Sequence, residues 1–145
     1  MKTTRIVILL CGLAMMTANA HAAVRSVKGL WVSASDDRLY WLRLQVPNAA
    51  PSTLVEELTG SITSASVGGA TETTGEVPVT GQYLVRTGIV ILNIGKPGAN
   101  REYAIGDTRG EGRHMSVRVF KLRPGQDIDF ERELFFDPKS EPQRP

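Results

Sequence analysis

The sequence predicts an all-β protein, an antiparallel eight-stranded up-and-down barrel, with a two-sheet β-sandwich as the alternative. Three observations predict it. Apolar and polar residues alternate along short runs, clusters of Gly, Pro, Asn and Asp separate those runs, and apolar residues at three- and four-residue spacing are scarce. With no helix to force parallel crossovers, sequential strands joined by tight turns close most simply as an up-and-down sheet.

Residues 1–22 read as a secretory signal peptide. Lys2 and Arg5 precede an apolar run from Ile6 to Met16, and both Ala18-Asn19-Ala20 and Ala20-His21-Ala22 fit an A-x-A cleavage pattern. The run is shorter than the roughly 20 residues that span a bilayer, which sets cleavage ahead of an uncleaved anchor. Cys11 follows Ile8-Leu9-Leu10, without the small residues a lipoprotein-processing site places before its cysteine. Cleavage removes two basic residues and no acid, so 17 basic and 15 acidic residues become 15 and 15. The mature chain is neutral overall, which leaves no bulk electrostatic case for nucleic acid or an anionic membrane surface. It is expected in the periplasm or secreted, as one β-barrel domain over 23–137 with a disordered, Pro-rich tail over 138–145.

The first strand runs from about Gly29 to Ser35, and Ser35-Asp36-Asp37 turns it into the second, Arg38 to Val46. There Tyr40, Leu42, Leu44 and Val46 share one face and Leu39, Trp41, Arg43 and Gln45 the other. Pro47 to Pro51 ends it, because Pro lacks an amide donor and drives the preceding residue out of the helical region. Ser52 offers an N-cap for a short turn through Glu56 with a third strand from Glu57, where Leu58, Gly60 and Ile62 alternate with Thr59, Ser61 and Thr63; the alternative is one strand over Thr53 to Ser64. Ala65 to Glu76, with Gly68-Gly69, reads as a mobile loop. Val77 to Arg86 and Gly88 to Ile94 are the next pair, and Ile89-Val90-Ile91-Leu92 is apolar on both faces, as in a well-covered strand. A turn at Gly95 to Asn100 leads to a short strand, Arg101 to Gly106, then to a charged loop, Asp107 to Gly112. Arg113 to Phe136 is the clearest hairpin. Met115, Val117 and Val119 alternate with polar residues, as do Ile128, Phe130, Arg132, Leu134 and Phe136, and Pro124-Gly125 between them has type II turn chemistry.

Gly29-Leu30-Trp31 at the start of the first strand resembles the Gly-x-Trp of the calycin superfamily, which covers lipocalins, fatty-acid-binding proteins and avidins. The resemblance implies that Trp31 packs across the bottom of the barrel beneath an Arg from near the last strand, with Arg132 the candidate and Gly29, Trp31 and Arg132 the structural set. The Thr-Asp-Tyr motif of typical lipocalins is absent. Trp31 and Trp41 are the only tryptophans, so the tryptophans of an avidin biotin site have no counterpart.

No catalytic constellation is present. Cleavage after Ala22 leaves His114 as the only histidine, beside Arg113 at the start of a strand and with no nucleophile elbow near any serine. No cofactor or metal is expected, since zinc and copper sites need several His or Cys ligands. Glu131 and Glu133 share a strand face that reads as a charged outer surface rather than a glycosidase pair. The chain is therefore expected to be a non-enzymatic binding module for an apolar or amphipathic small ligand, lined by Tyr40, Leu42, Tyr83, Tyr103, Val117 and Phe130. The alternative is a periplasmic protein-interaction module, such as an inhibitor, immunity protein or envelope-assembly factor. It would act through the loops Ala65 to Glu76 and Asp107 to Arg113, with Arg109, Glu111 and Arg113 making charge-assisted contacts to an envelope protein. Trp41 and Phe135 on outer faces could seed a dimer. The mature chain has no cysteine and no metal-ligand set, so its melting temperature should be unchanged by reductant and by chelator. A shift with chelator, read by calorimetry, would reveal a metal site.

Overall fold

A computed structural model of the chain describes residues 26–47, 54–68, 73–98, 100–109, 113–122 and 128–139. Its strands are β1 (Gly29–Ala34), β2 (Arg38–Gln45), β3 (Val55–Ser66), β4 (Val77–Leu84), β5 (Ile89–Ile94), β6 (Glu102–Arg109), β7 (His114–Lys121) and β8 (Asp129–Lys139). Each pairs antiparallel with its successor and β8 returns to β1, giving a closed barrel in sequential order. The sandwich alternative is thereby set aside. No helix among the described residues is long and apolar enough to cross a membrane, and a single cysteine permits no intrachain disulfide.

Side-chain alternation decides which half of each strand is buried. Tyr40, Leu42 and Leu44 of β2, Val79 and Tyr83 of β4, Val90, Leu92 and Ile94 of β5, and Met115, Val117 and Val119 of β7 all turn inward and join one core cluster. Each fully buried Val, Leu or Met contributes about 1.5–3 kcal/mol relative to exposure. With no cysteine to cross-link β1 through β8, this burial is the main source of stability.

Several boundaries differ from those expected. β3 already pairs at Val55 and Glu56, with Leu84 and Tyr83, so no helical turn runs through Glu56. Ser52, the expected N-cap, lies outside the described residues. Of the expected loop Ala65 to Glu76, residues 69–72 lie outside the described residues, while Thr73 bridges Ala65 and the Thr74 amide donates to the Ser64 carbonyl at 2.8 Å. β6 continues through Asp107 to Arg109, and β8 runs past Asp137 through Pro138 and Lys139, which pair with Trp31 and Leu30. β5 is covered on one face only, since Ile91 remains 36% exposed. The signal segment, the Pro124-Gly125 turn and residues 140–145 lie outside the described residues.

Three inward-facing glycines let the sheet coil. A Cβ on Gly60, Gly81 or Gly106 would meet the backbone carbonyl oxygen of Arg43, Ile91 or Ser116, inside contact distance in every case. These positions bring neighbouring strands closer than a side chain allows, as at the corners of small barrels. Gly81→Ala should therefore cost about 1–3 kcal/mol in urea unfolding. Gly75→Ala, where nothing lies within 4 Å, should change stability by less than about 0.5 kcal/mol.

Candidate functional site

The two ends of the barrel are built differently. At the end holding the start of β1, Val27 and Trp31 are 0% and 2% exposed, and the indole Nε1 donates to the Val27 carbonyl at 2.8 Å. Gly29 sits between them at φ 140°, a conformation open to glycine. Apolar side chains fill the barrel from there through its middle. At the opposite end, which holds Glu102 at the start of β6, a cavity of about 650 Å³ remains. Tyr40, Ile62, Val77, Ile94 and Leu134 form its apolar wall, and its polar lining includes the cations Arg38 and Arg132, the carboxylates Asp37, Glu102 and Glu133, and the hydroxyls of Ser64 and Thr74.

An ion group crosses the interior at this end. Arg132 forks onto Glu102, with Nη1 donating to Oε1 at 3.2 Å and Nη2 to Oε2 at 2.8 Å. Lys121 Nζ lies 3.8 Å from Glu102 and 3.5 Å from Glu131, and the Arg132 guanidinium stands 5.6 Å over the Tyr40 ring. Burial opposes the charge on Arg132, yet the Glu102 carboxylate outweighs it, with Tyr40 and Glu131 adding, and the pKa stands above the ordinary arginine value. A raised pKa on a cation means its contribution is complete below the unfolded value, so it persists across neutral pH and is lost only in strong alkali. Arg38 donates to Ser64 Oγ at 3.3 Å and has no carboxylate partner among the described residues.

This arrangement corrects the sequence-based site set. Of the six expected lining residues only Tyr40 borders the cavity; Leu42, Tyr83 and Val117 are 1–2% exposed and belong to the core. The Tyr83 hydroxyl is buried with no partner among the described residues. Tyr103 faces outward, stacked on Phe120 with centroids 6.1 Å apart, because its neighbour Ala104 takes the inward position. Phe130 is 62% exposed, and the reason is a bulge: Val119 pairs with Arg132 but Phe120 with Phe130, so Glu131 is an extra residue and the alternation inverts. The same bulge separates the two carboxylates, turning Glu131 to Lys121 while Glu133 meets Arg118 at 3.5 Å.

The expected stack of Arg132 on Trp31 does not form. Trp31 pairs with Pro138, six residues from Arg132 along β8, or about 20 Å at the rise of a strand. Shared alternation puts both side chains inside the barrel but at different heights, and Arg132 satisfies its charge on Glu102. Ile62, Ser64, Val77, Ile94, Arg38 and Glu102 were missed as lining residues. Glu102 had a legible signal, since Glu102, Ala104 and Gly106 alternate along one face and the small residues leave space above the core.

Arg109 and Arg113 flank one turn at the Trp31 end, where the Arg113 amide donates to the Arg109 carbonyl at 3.1 Å. Arg109 is exposed and pairs with Asp107 at 3.5 Å, Arg113 is exposed beside Trp31, and Glu111 lies outside the described residues. The loop after β3 lies at the Glu102 end, whereas the loop after β6 lies at the Trp31 end. His114 is at the Trp31 end too, its Nδ1 2.7 Å from Asp137 on the surface.

Double-mutant cycles distinguish the two arrangements of Arg132. Arg132→Ala with Glu102→Ala should be non-additive by about 1–2 kcal/mol in urea unfolding. Arg132→Ala with Trp31→Ala should add within about 0.5 kcal/mol, as residues at opposite ends do. Coupling in the second cycle rather than the first would overturn the placement.

No family model, curated protein or solved structure matches the chain. The chemistry of the cavity is therefore the ground for a functional reading.

Proposed function

We propose that the protein is an exported, non-enzymatic binding module for a small amphipathic ligand, held in the cavity at the Glu102 end of a calycin-like barrel. The observation that carries the reading is the contrast between a filled Trp31 end and a cavity of about 650 Å³ at the other, within the range of small-ligand sites. Its apolar wall would take a hydrocarbon or ring system. Arg38, whose charge has no carboxylate partner among the described residues, would take a polar or anionic head group, with Ser64 and Thr74 offering hydroxyls. The Arg132–Glu102 pair is internally neutralised and serves as a rigid polar floor rather than a second charged hook.

A thermal-shift series with octanoate, dodecanoate and the matching alcohols tests this. The carboxylates should raise the melting temperature, since ligand at a hundred times its dissociation constant stabilises by about 2.7 kcal/mol. Arg38→Met should remove the preference for carboxylate over alcohol, and Ile62→Trp, which fills the cavity, should abolish both shifts. No shift from any of these at millimolar concentration would count against this ligand class, and a shift retained by Ile62→Trp would place binding elsewhere.

A further inference from the structure

The seam that closes the barrel parts beside the cavity. The last pair between β1 and β8 is Val32 with Asp137, so Ala34, where β1 ends, falls opposite Phe135. Phe130 to Leu134 therefore runs on past β1, about 16 Å of strand, bonded to β7 on one side and with no strand partner among the described residues on the other. The cavity reaches this opening, because its lining includes Ser35 just after β1 and Arg132, Glu133 and Leu134 on β8. An edge of this kind offers main-chain donors and acceptors at regular spacing to whatever lies in the cavity mouth. On the outer face, Tyr103, Phe120 and Phe130 pair in register across β6, β7 and β8, an aromatic row that stops at the same opening with Phe130 62% exposed.

The charges on the lining narrow the occupant. Glu102 is forked by Arg132, Glu133 meets Arg118, and Asp37 is exposed, its carboxylate accepting from the Ser35 hydroxyl at 3.2 Å. Arg38 is half-buried at the start of β2, its guanidinium on the neutral Ser64 hydroxyl and with no carboxylate partner among the described residues. A half-buried cation is screened less by water and salt than an exposed carboxylate, so the mouth favours an anionic group at Arg38. The direction of β8 then decides which end of a chain enters. β8 runs from the Glu102 end toward the Trp31 end, so a chain entering carboxyl end first lies parallel to it and carries its carboxylate to the level of the turn between Ser35 and Arg38. Entry in the opposite sense would bring an ammonium against Arg38.

Resting on the cavity's role as the site of an amphipathic ligand, we propose that this ligand is the carboxyl-terminal segment of a partner protein. It is an extended apolar chain added parallel to Phe130 to Leu134, with its terminal carboxylate on Arg38 and its inward side chains against Ile62, Ile94 and Leu134. The parted seam reads the main chain, and the cavity wall reads the side chains.

The probe is a hexapeptide of alternating serine and valine that ends in valine, labelled at its amino end. It is titrated against the full chain by fluorescence anisotropy beside its carboxyl-terminal amide. The free acid should bind at least about tenfold more tightly than the amide, as a charge-assisted bond to Arg38 requires, and Arg38→Met should erase the difference. N-methylation of alternate residues should weaken binding at least about tenfold in one register and little in the other, because one set of amides faces β8. Octanoate should displace the peptide. Equal binding of acid and amide overturns the proposal, as does full binding of both N-methylated registers, which would mean that the edge is not used. A melting temperature raised by octanoate with no binding of the peptide overturns it and leaves the small-ligand reading standing, whereas failure of both removes the cavity as a site. A dimer in sedimentation that excludes the peptide would make a second copy the occupant and likewise overturns it.

Discussion

Closure of the sheet is the constraint on which the rest depends. An eight-stranded sheet of this length cannot stay open without leaving two edges, and the return of β8 to β1 removes most of both. The closing ladder is much the shortest. β1 and β8 share three residue pairs against eight between β2 and β3, so the strands meet at the Trp31 end and part toward the other. That stagger explains why the Trp31 end is packed and the Glu102 end retains a cavity, and why one stretch of β8 has no second strand partner among the described residues.

The interior is correspondingly graded. Near Trp31, where strands converge on all sides, every inward residue can bury apolar surface at native density, and the indole's one donor is satisfied by the Val27 carbonyl. Toward Glu102 the wall thins, and charges can remain partly hydrated while paired. Arg132 and Glu102 are 29% and 18% exposed at their side chains, deep enough for a forked ion pair to hold its geometry and shallow enough to avoid the full cost of burying charge. The same groups at the Trp31 end would pay that cost with no water in reach.

The bulge between Val119 and Phe120 links the inner and outer surfaces. It lets one strand present Arg132, Leu134 and Phe136 to the interior and Phe130 to solvent, although all four share one parity in the sequence. A regular strand would bury Phe130 under the ion group and expose nothing at the edge. The cavity floor and the outer aromatic row are thus products of one irregularity.

What the sequence by itself determined was local: eight strands, because period-2 alternation and Gly- and Pro-rich turns act over a few residues, and sequential antiparallel pairing, because short turns permit little else. It also grouped Tyr40, Leu42 and Leu44 correctly on one face. What only the tertiary structure decided was which face lies inside on β6, where alternation is symmetric until Ala104 meets the core. It also decided where the bulge falls and at what height each inward side chain sits. Trp31 and Arg132 illustrate the limit. Parity says both point inward, but height along a barrel is set by register and stagger accumulated over eight ladders, and no local pattern encodes that sum.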